Sequence, residues 1–165
     1  MDHAVLVLRL VVGAVMAAHG SQKLFGWFGG YGLSGTGGFF ETLGFRPGRV
    51  FAFAAGFSEF VGGLLLVLGF LGPVGPALII SVMTVAAIVV HWRNGLFAQN
   101  NGIELPLLYF AAAIALALSG FGQFSIDSAL GLHWTPAVVW TVLFAGLAGG
   151  LANLAVRRAP AAQVS

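Results

Sequence analysis

Glu59 is the one ionisable side chain in the apolar run of residues 51–70. In a helix that begins near Val50 it lies roughly 14 Å in, close to the midplane of a bilayer core about 30 Å thick. A charge at that depth costs about 2.5–3.5 kcal/mol on insertion scales. The carboxyl must therefore face other helices, meet a partner or stay protonated. A group held this way can act as an acid or base, and the chain supplies it with company. Imidazoles ordinarily titrate near neutrality, so His19 and His91 are the candidate proton carriers. Lys23 lies four residues after His19, on the same helical face, and can steady a reduced or anionic oxygen. Arg93, Asn101 and Glu104 follow as polar groups that could contact a substrate head group. On this reading Glu59, His19 and His91 form the catalytic set, and Lys23, Arg93, Asn101 and Glu104 bind substrate. The structural alternative is that Glu59 stays protonated, or pairs with Lys23 or a histidine, and only fixes helix packing. Two histidines on separate helices are also a possible axial pair for haem, but nothing else in the sequence points to haem.

The elements that position these residues must be membrane helices. Of 165 residues, 59% are hydrophobic and 7% charged, and the mean hydropathy is +0.98. Soluble domains carry about 25% charged residues, so this chain cannot cover a water-facing surface. The pI near 9.7 rests on too few charges to suggest nucleic acid; it reports the loop charges that set topology. The absence of cysteine excludes disulfides and thiolate catalysis by the chain itself. The early apolar stretch lacks a basic n-region, since Asp2 and His3 stand there, so it reads as a retained helix rather than a signal peptide.

Five spans are expected: residues 4–25, 49–71, 76–92, 103–120 and 136–156. Between the first two lies a Gly-rich, aromatic segment, 26–48. Gly30, Gly32 and Gly35 fit G-x-G-x-x-G there, but no strand precedes them and the dinucleotide reading fails. The segment reads instead as an interfacial loop. Trp27, Phe28 and Tyr31 would sit at headgroup level, and Thr36 or Ser34 would cap a short helix through Phe45. The fifth span holds no ionisable residue and is expected to be the least tied to the others. Its Gly146 and Gly150 form a small-xxx-small face suited to a homo-oligomer.

An odd number of spans puts the termini on opposite sides. Lys23, Arg46, Arg49, Arg93, Arg157 and Arg158 then gather on one surface and Arg9 stands toward the other. The positive-inside rule predicts the N-terminus outside and the C-terminus in the cytoplasm. Arg9 and Asp127 fall at the outer side and are a candidate structural pair, with separate solvation at the headgroups as the alternative. No metal-ligand set is evident.

Leu8-Arg9-Leu10, His19-Gly20-x-x-Lys23, Glu59-x-x-Gly62-Gly63-x-Leu65 with Gly69, His91, Asn101-Gly102-x-Glu104 and Gly120 through Asp127 together resemble the DoxX family of small bacterial membrane proteins. The resemblance covers residues 4–128. It implies an all-α membrane bundle of four core helices over residues 1–128, with residues 129–165 adding a fifth helix and a short basic tail. The family is named from a membrane subunit of thiosulfate:quinone oxidoreductase, and other members are associated with thiol, oxidative, catechol or quinone stress. The implied role is a subunit of a quinone-linked redox system in the bacterial inner membrane. Quinone is the implied cofactor, and a membrane or soluble redox protein the implied partner beside the lipid bilayer. With no cysteine, sulfur transfer would need a sulfur substrate or a partner's thiol. The rival readings are a non-catalytic scaffold or assembly subunit and a small transporter; no inverted repeat supports the latter.

Overall fold

The computed structural model describes residues 2–158 and is all-helical over them. Helix α1, Asp2–Phe25, leads through a tight turn at Trp27–Gly29 into a short helix α2, Gly32–Thr42. Helix α3 spans Gly48–Leu68 and α4 Val74–Val85. The fourth helix continues with a widened turn over Ala86–His91 and ends at Asn94, giving one apolar rod over Val74–Asn94. Helix α5, Glu104–Ser119, a single turn α6, Ile126–Ala129, and α7, Pro136–Ala155, complete the chain. The five expected spans are therefore all helices. α1, α3, the α4 rod and α7 are long and apolar enough to cross a membrane. α5, with 16 residues, gives roughly 24 Å of helix and is the short one. The protein is a polytopic helical membrane protein. Large apolar side chains such as Val11, Phe53, Phe144 and Leu151 lie exposed on its flanks, as lipid contact requires.

α1 and α3 run antiparallel in close contact because small residues face each other. A Cβ on Gly63 would stand 2.5 Å from the Gly13 carbonyl oxygen and from the Ala17 nitrogen, so only glycine permits this approach. α4 leaves α3 through the turn at residues 69–73 and packs back against it. The core lies where α1, α3, α4, α5 and α7 converge, around Met16, Leu66, Ile79, Ile80, Ala113 and Leu116. α2 starts at Gly32 without a side-chain cap. The expected caps, Ser34 and Thr36, lie inside the helix; the Ser34 hydroxyl instead accepts a bond from Arg49 Nη2 at 2.9 Å.

α7 departs most from expectation. Rather than standing loosely beside the bundle, it runs parallel to α4, with Gly146 against Ala77 and Gly150 against Ser81 and Thr84. The face expected to serve a homo-oligomer is thus covered by α4 of the same chain. The end of α7 is also tied: Arg157 Nε donates to the Leu43 carbonyl and Arg158 N to Gly44 O at 2.9 Å.

Arg9 and Asp127 are both buried, with relative exposures of 1% and 4%, yet neither solvation nor an ion pair accounts for them. Among the described residues the one ion pair is elsewhere. The Arg9 guanidinium donates to the backbone carbonyls of Leu66 at 2.9 Å, Val67 and Phe124 at 3.1 Å, and Phe121. Asp127 accepts from the amides of Leu71 at 2.9 Å and Gly72 at 2.7 Å and from Trp134 Nε1 at 2.9 Å. The expected pair is therefore a clamp through the main chain. Arg9 holds the end of α3 and the 121–124 segment, and Asp127 holds the α3–α4 turn. Gly69 sits between them at φ +64°, where a Cβ would lie 2.7 Å from Arg9 Cζ. Leu71 also adopts a left-handed conformation, φ 60°, which costs a non-glycine residue about 1–2 kcal/mol. The Asp127 bond to its amide holds it there.

Two outcomes follow. Gly63→Ala should lower stability by about 1–3 kcal/mol through overpacking, whereas Gly38→Ala, which meets no atom within 4 Å, should be neutral or mildly stabilising; thermal unfolding in detergent reads both. Asp127→Ala removes three bonds to a carboxylate and should cost at least about 3 kcal/mol, with faster amide exchange at Leu71 and Gly72 as its local signature.

Candidate functional site

A cavity of about 930 Å³ occupies the half of the bundle that holds Lys23 and most of the arginines, here called the basic end. α3 and α4 are tightly packed near Gly62 and Gly75, and nearer the basic end both line the hollow, with Ala54, Ala55 and Ser58 from α3 and Val82, Val85 and Ala86 from α4. α1 and α5 close one side, α2 covers it from the loop side, and Asn153 of α7 reaches it from the far side. Most of the lining is apolar: Met16, Phe40, Phe45, Ala54, Val82 and Val85 are representative. The widened turn in α4 contributes Ala86, Val89, Val90 and His91 to the wall. Such turns recur at functional sites because they redirect side chains within a helix.

Glu59 opens into this cavity. It is 3% exposed, and both carboxylate oxygens accept from Lys23 Nζ, at 2.6 and 2.9 Å. The pair bridges α3 and the last turns of α1. Two bonds leave the ammonium one further proton to donate. Lys23 is therefore not at the interface as a lone snorkelling cation; it reaches inward to compensate the carboxylate. His19, one turn before Lys23, also lines the cavity and meets the ring of Tyr109 edge-on at 6.2 Å between centroids.

His91 stands on the opposite wall. Its Nδ1 lies 2.7 Å from the Asn101 carbonyl oxygen. A carbonyl can only accept, so Nδ1 carries the proton and Nε2 is the unprotonated nitrogen of the neutral ring. The same carbonyl accepts from Asn94 Nδ2 at 3.2 Å, and Asn101 turns the chain at φ 59°. Asn101 thus positions His91 through its main chain and also lines the cavity.

Two of the expected binding residues stand apart. The Glu104 carboxylate accepts from the Ala98 amide at 2.7 Å and closes the loop before α5. Arg93 is exposed at the end of the α4 rod and lies outside the cavity lining. Of the expected set, Glu59, Lys23, His19, His91 and Asn101 share the cavity. Tyr109, Ser58, Ser81 and Asn153 join them without having been singled out in the sequence. The signal for Asn153 was present: it is a lone amide in the lower half of an otherwise apolar helix. Among the described residues no three His, Asp or Glu side chains come together as a metal-ligand set. His3 packs on the Phe124 ring at 5.1 Å, and His133 borders a smaller hollow of about 410 Å³ near Asp127.

Residues 4–92 match the DoxX family. The chain belongs to the DoxX family. No curated protein and no solved structure shows significant similarity to it. The matched stretch of this DoxX protein contains Arg9, His19, Lys23, Glu59 and His91. It ends before Asn101, Glu104 and Asp127, so the later motifs of the resemblance lie beyond it. The cavity spans both parts: its ion pair lies within the matched stretch, and Tyr109 and Asn153 lie outside it.

The ion pair makes a direct test. Lys23→Met leaves a buried carboxylate without its partner and should cost about 3–5 kcal/mol. The double variant Lys23→Met/Glu59→Gln should recover most of that loss in the same thermal unfolding measurement. A double-variant loss equal to the sum of the Lys23→Met and Glu59→Gln losses would show that the two groups are not energetically coupled.

Proposed function

We propose that this DoxX protein binds the head group of a membrane quinone in the cavity at its basic end and serves as a subunit of a quinone-linked redox system, in sulfur, thiol or oxidative-stress chemistry. The observation that carries this reading is one ion pair with a buried carboxylate, in a large, mostly apolar cavity that two imidazoles and a phenol also line. The size is within the range of about 300–1,000 Å³ typical of small-molecule sites. Apolar walls suit a flat ring and the start of an isoprenoid tail, and the polar floor suits ring oxygens.

The roles follow from chemistry. Lys23 has a proton left to donate to a ligand oxygen while it holds Glu59. Glu59 can take up or release a proton, because Lys23 compensates its charge and the cavity gives it access. His19, next to Lys23 on α1, and His91, whose Nε2 is free to accept, can exchange protons with the basic end. Quinone chemistry is two-electron, two-proton chemistry. The chain has no cysteine and so offers no thiol relay of its own; electrons would come from a partner protein. The positive-inside rule favours a cytoplasmic basic end in a bacterial inner membrane.

The test is binding of a decyl-tailed benzoquinone to the protein in lipid nanodiscs. Wild type should bind, and Glu59→Gln and Lys23→Met should each weaken binding at least tenfold, about 1.4 kcal/mol. Unchanged binding and unchanged quinone-dependent turnover in Glu59→Gln membranes would remove the reading.

A further inference from the structure

The cavity has a second polar wall that the family match does not reach. Asn153 is the polar side chain that α7 contributes to the cavity lining. Its Nδ2 donates to the Gly149 carbonyl at 2.8 Å. Because that carbonyl can only accept, the amide orientation is set by chemistry. Oδ1 remains as an acceptor and one N–H remains as a donor.

Helix register gives its depth. Gly62 faces Leu78 and Ile79, so Glu59, one turn away on the antiparallel α3, lies level with Ser81. Gly150 faces Ser81 and Thr84 on the parallel α4, so Asn153 lies about one turn, roughly 5 Å, nearer the basic end than Glu59. The two therefore stand at similar depth on different sides of the hollow: Glu59 with Lys23 on the α1–α3 side, Asn153 on the α4–α7 side. α7 cannot slide freely to change this. Gly146 and Gly150 key it into α4, and Arg157 and Arg158 fasten its end to Leu43 and Gly44.

We infer that Asn153 is a specificity-determining contact of this cavity, and that the cavity takes a flat head group bearing oxygens at two opposite edges, one at the Lys23–Glu59 pair and one at the Asn153 amide. This rests on the quinone reading and narrows it. A ligand oxygen that cycles between carbonyl and hydroxyl needs a partner able both to donate and to accept. An amide does both without titrating, whereas a lysine only donates. The α7 helix is then a working wall of the site as well as a packing element.

The experiment compares two probes of equal tail in nanodiscs, a decyl-tailed 1,4-hydroquinone with two oxygens and a decyl-tailed phenol with one, against wild type, Asn153→Leu and Glu59→Gln. Asn153→Leu should bind the hydroquinone about tenfold more weakly and the phenol within about twofold of wild type, a difference of about 1.4 kcal/mol between probes. Glu59→Gln should weaken both. Asn153→Gln, which keeps the amide, should restore part of the hydroquinone affinity, and thermal unfolding should place both Asn153 variants near wild type in stability. Equal loss of both probes in Asn153→Leu, or no loss, with Glu59→Gln still impaired, would overturn the Asn153 role and leave the quinone reading standing. Absence of binding by wild type would overturn both.

Discussion

The contact between Lys23 and Glu59 governs how this protein is put together. In lipid a carboxylate has no water to turn to, and an unpaired one would neutralise itself or draw the helix out of place. Lys23 answers from another helix, so the contact also sets the register of α1 against α3. That register in turn requires the small residues at positions 13 and 63, since longer side chains would hold the ammonium out of reach. α3 presents one face to α1 for the pair, and the hollow beside that pair is lined by residues of α2, α4, α5 and α7 as well.

The two ends of the bundle solve the same problem in different ways. Near the N-terminus, Arg9 and Asp127 satisfy main-chain groups and lock turns, beside only the smaller hollow of about 410 Å³. Near the basic end, the polar groups satisfy one another only in part and face open volume. A fully bonded end gives rigidity; a wider, partly bonded hollow leaves hydrogen-bonding capacity. Along α1 the two ends are separated by the 14 residues from Arg9 to Lys23, roughly 21 Å of helix.

Much of this was legible in the chain. Apolar run length and Gly/Pro breaks located all five spans within a few residues, because helices in lipid must satisfy their own backbone. The depth of Glu59 and the four-residue spacing of His19 and Lys23 pointed to residues that line one cavity. What the chain did not disclose depended on long-range geometry. Arg9 and Asp127 are of opposite charge and near the same surface, which suggests a pair, but carbonyls and amides offered by the 66–72 and 121–124 backbone outcompete that contact, and main-chain groups leave no mark in residue identity. Glu104 resembled a ligand contact and is a loop cap for the same reason. α7 holds no ionisable residue, yet Gly146 and Gly150 attach it to α4 through shape, which charge does not register. Asn153, a neutral amide on the same helix, is invisible to charge for the same reason.

The tie between the end of α7 and the loop at Leu43–Gly44 has a practical consequence. Leu43 and Phe45 also line the cavity, so the last described residues of the chain hold the rim of the hollow. A reporter or affinity handle joined directly after Arg158 would pull on that rim, and its effect would resemble a substitution in the cavity wall although no cavity residue had been altered.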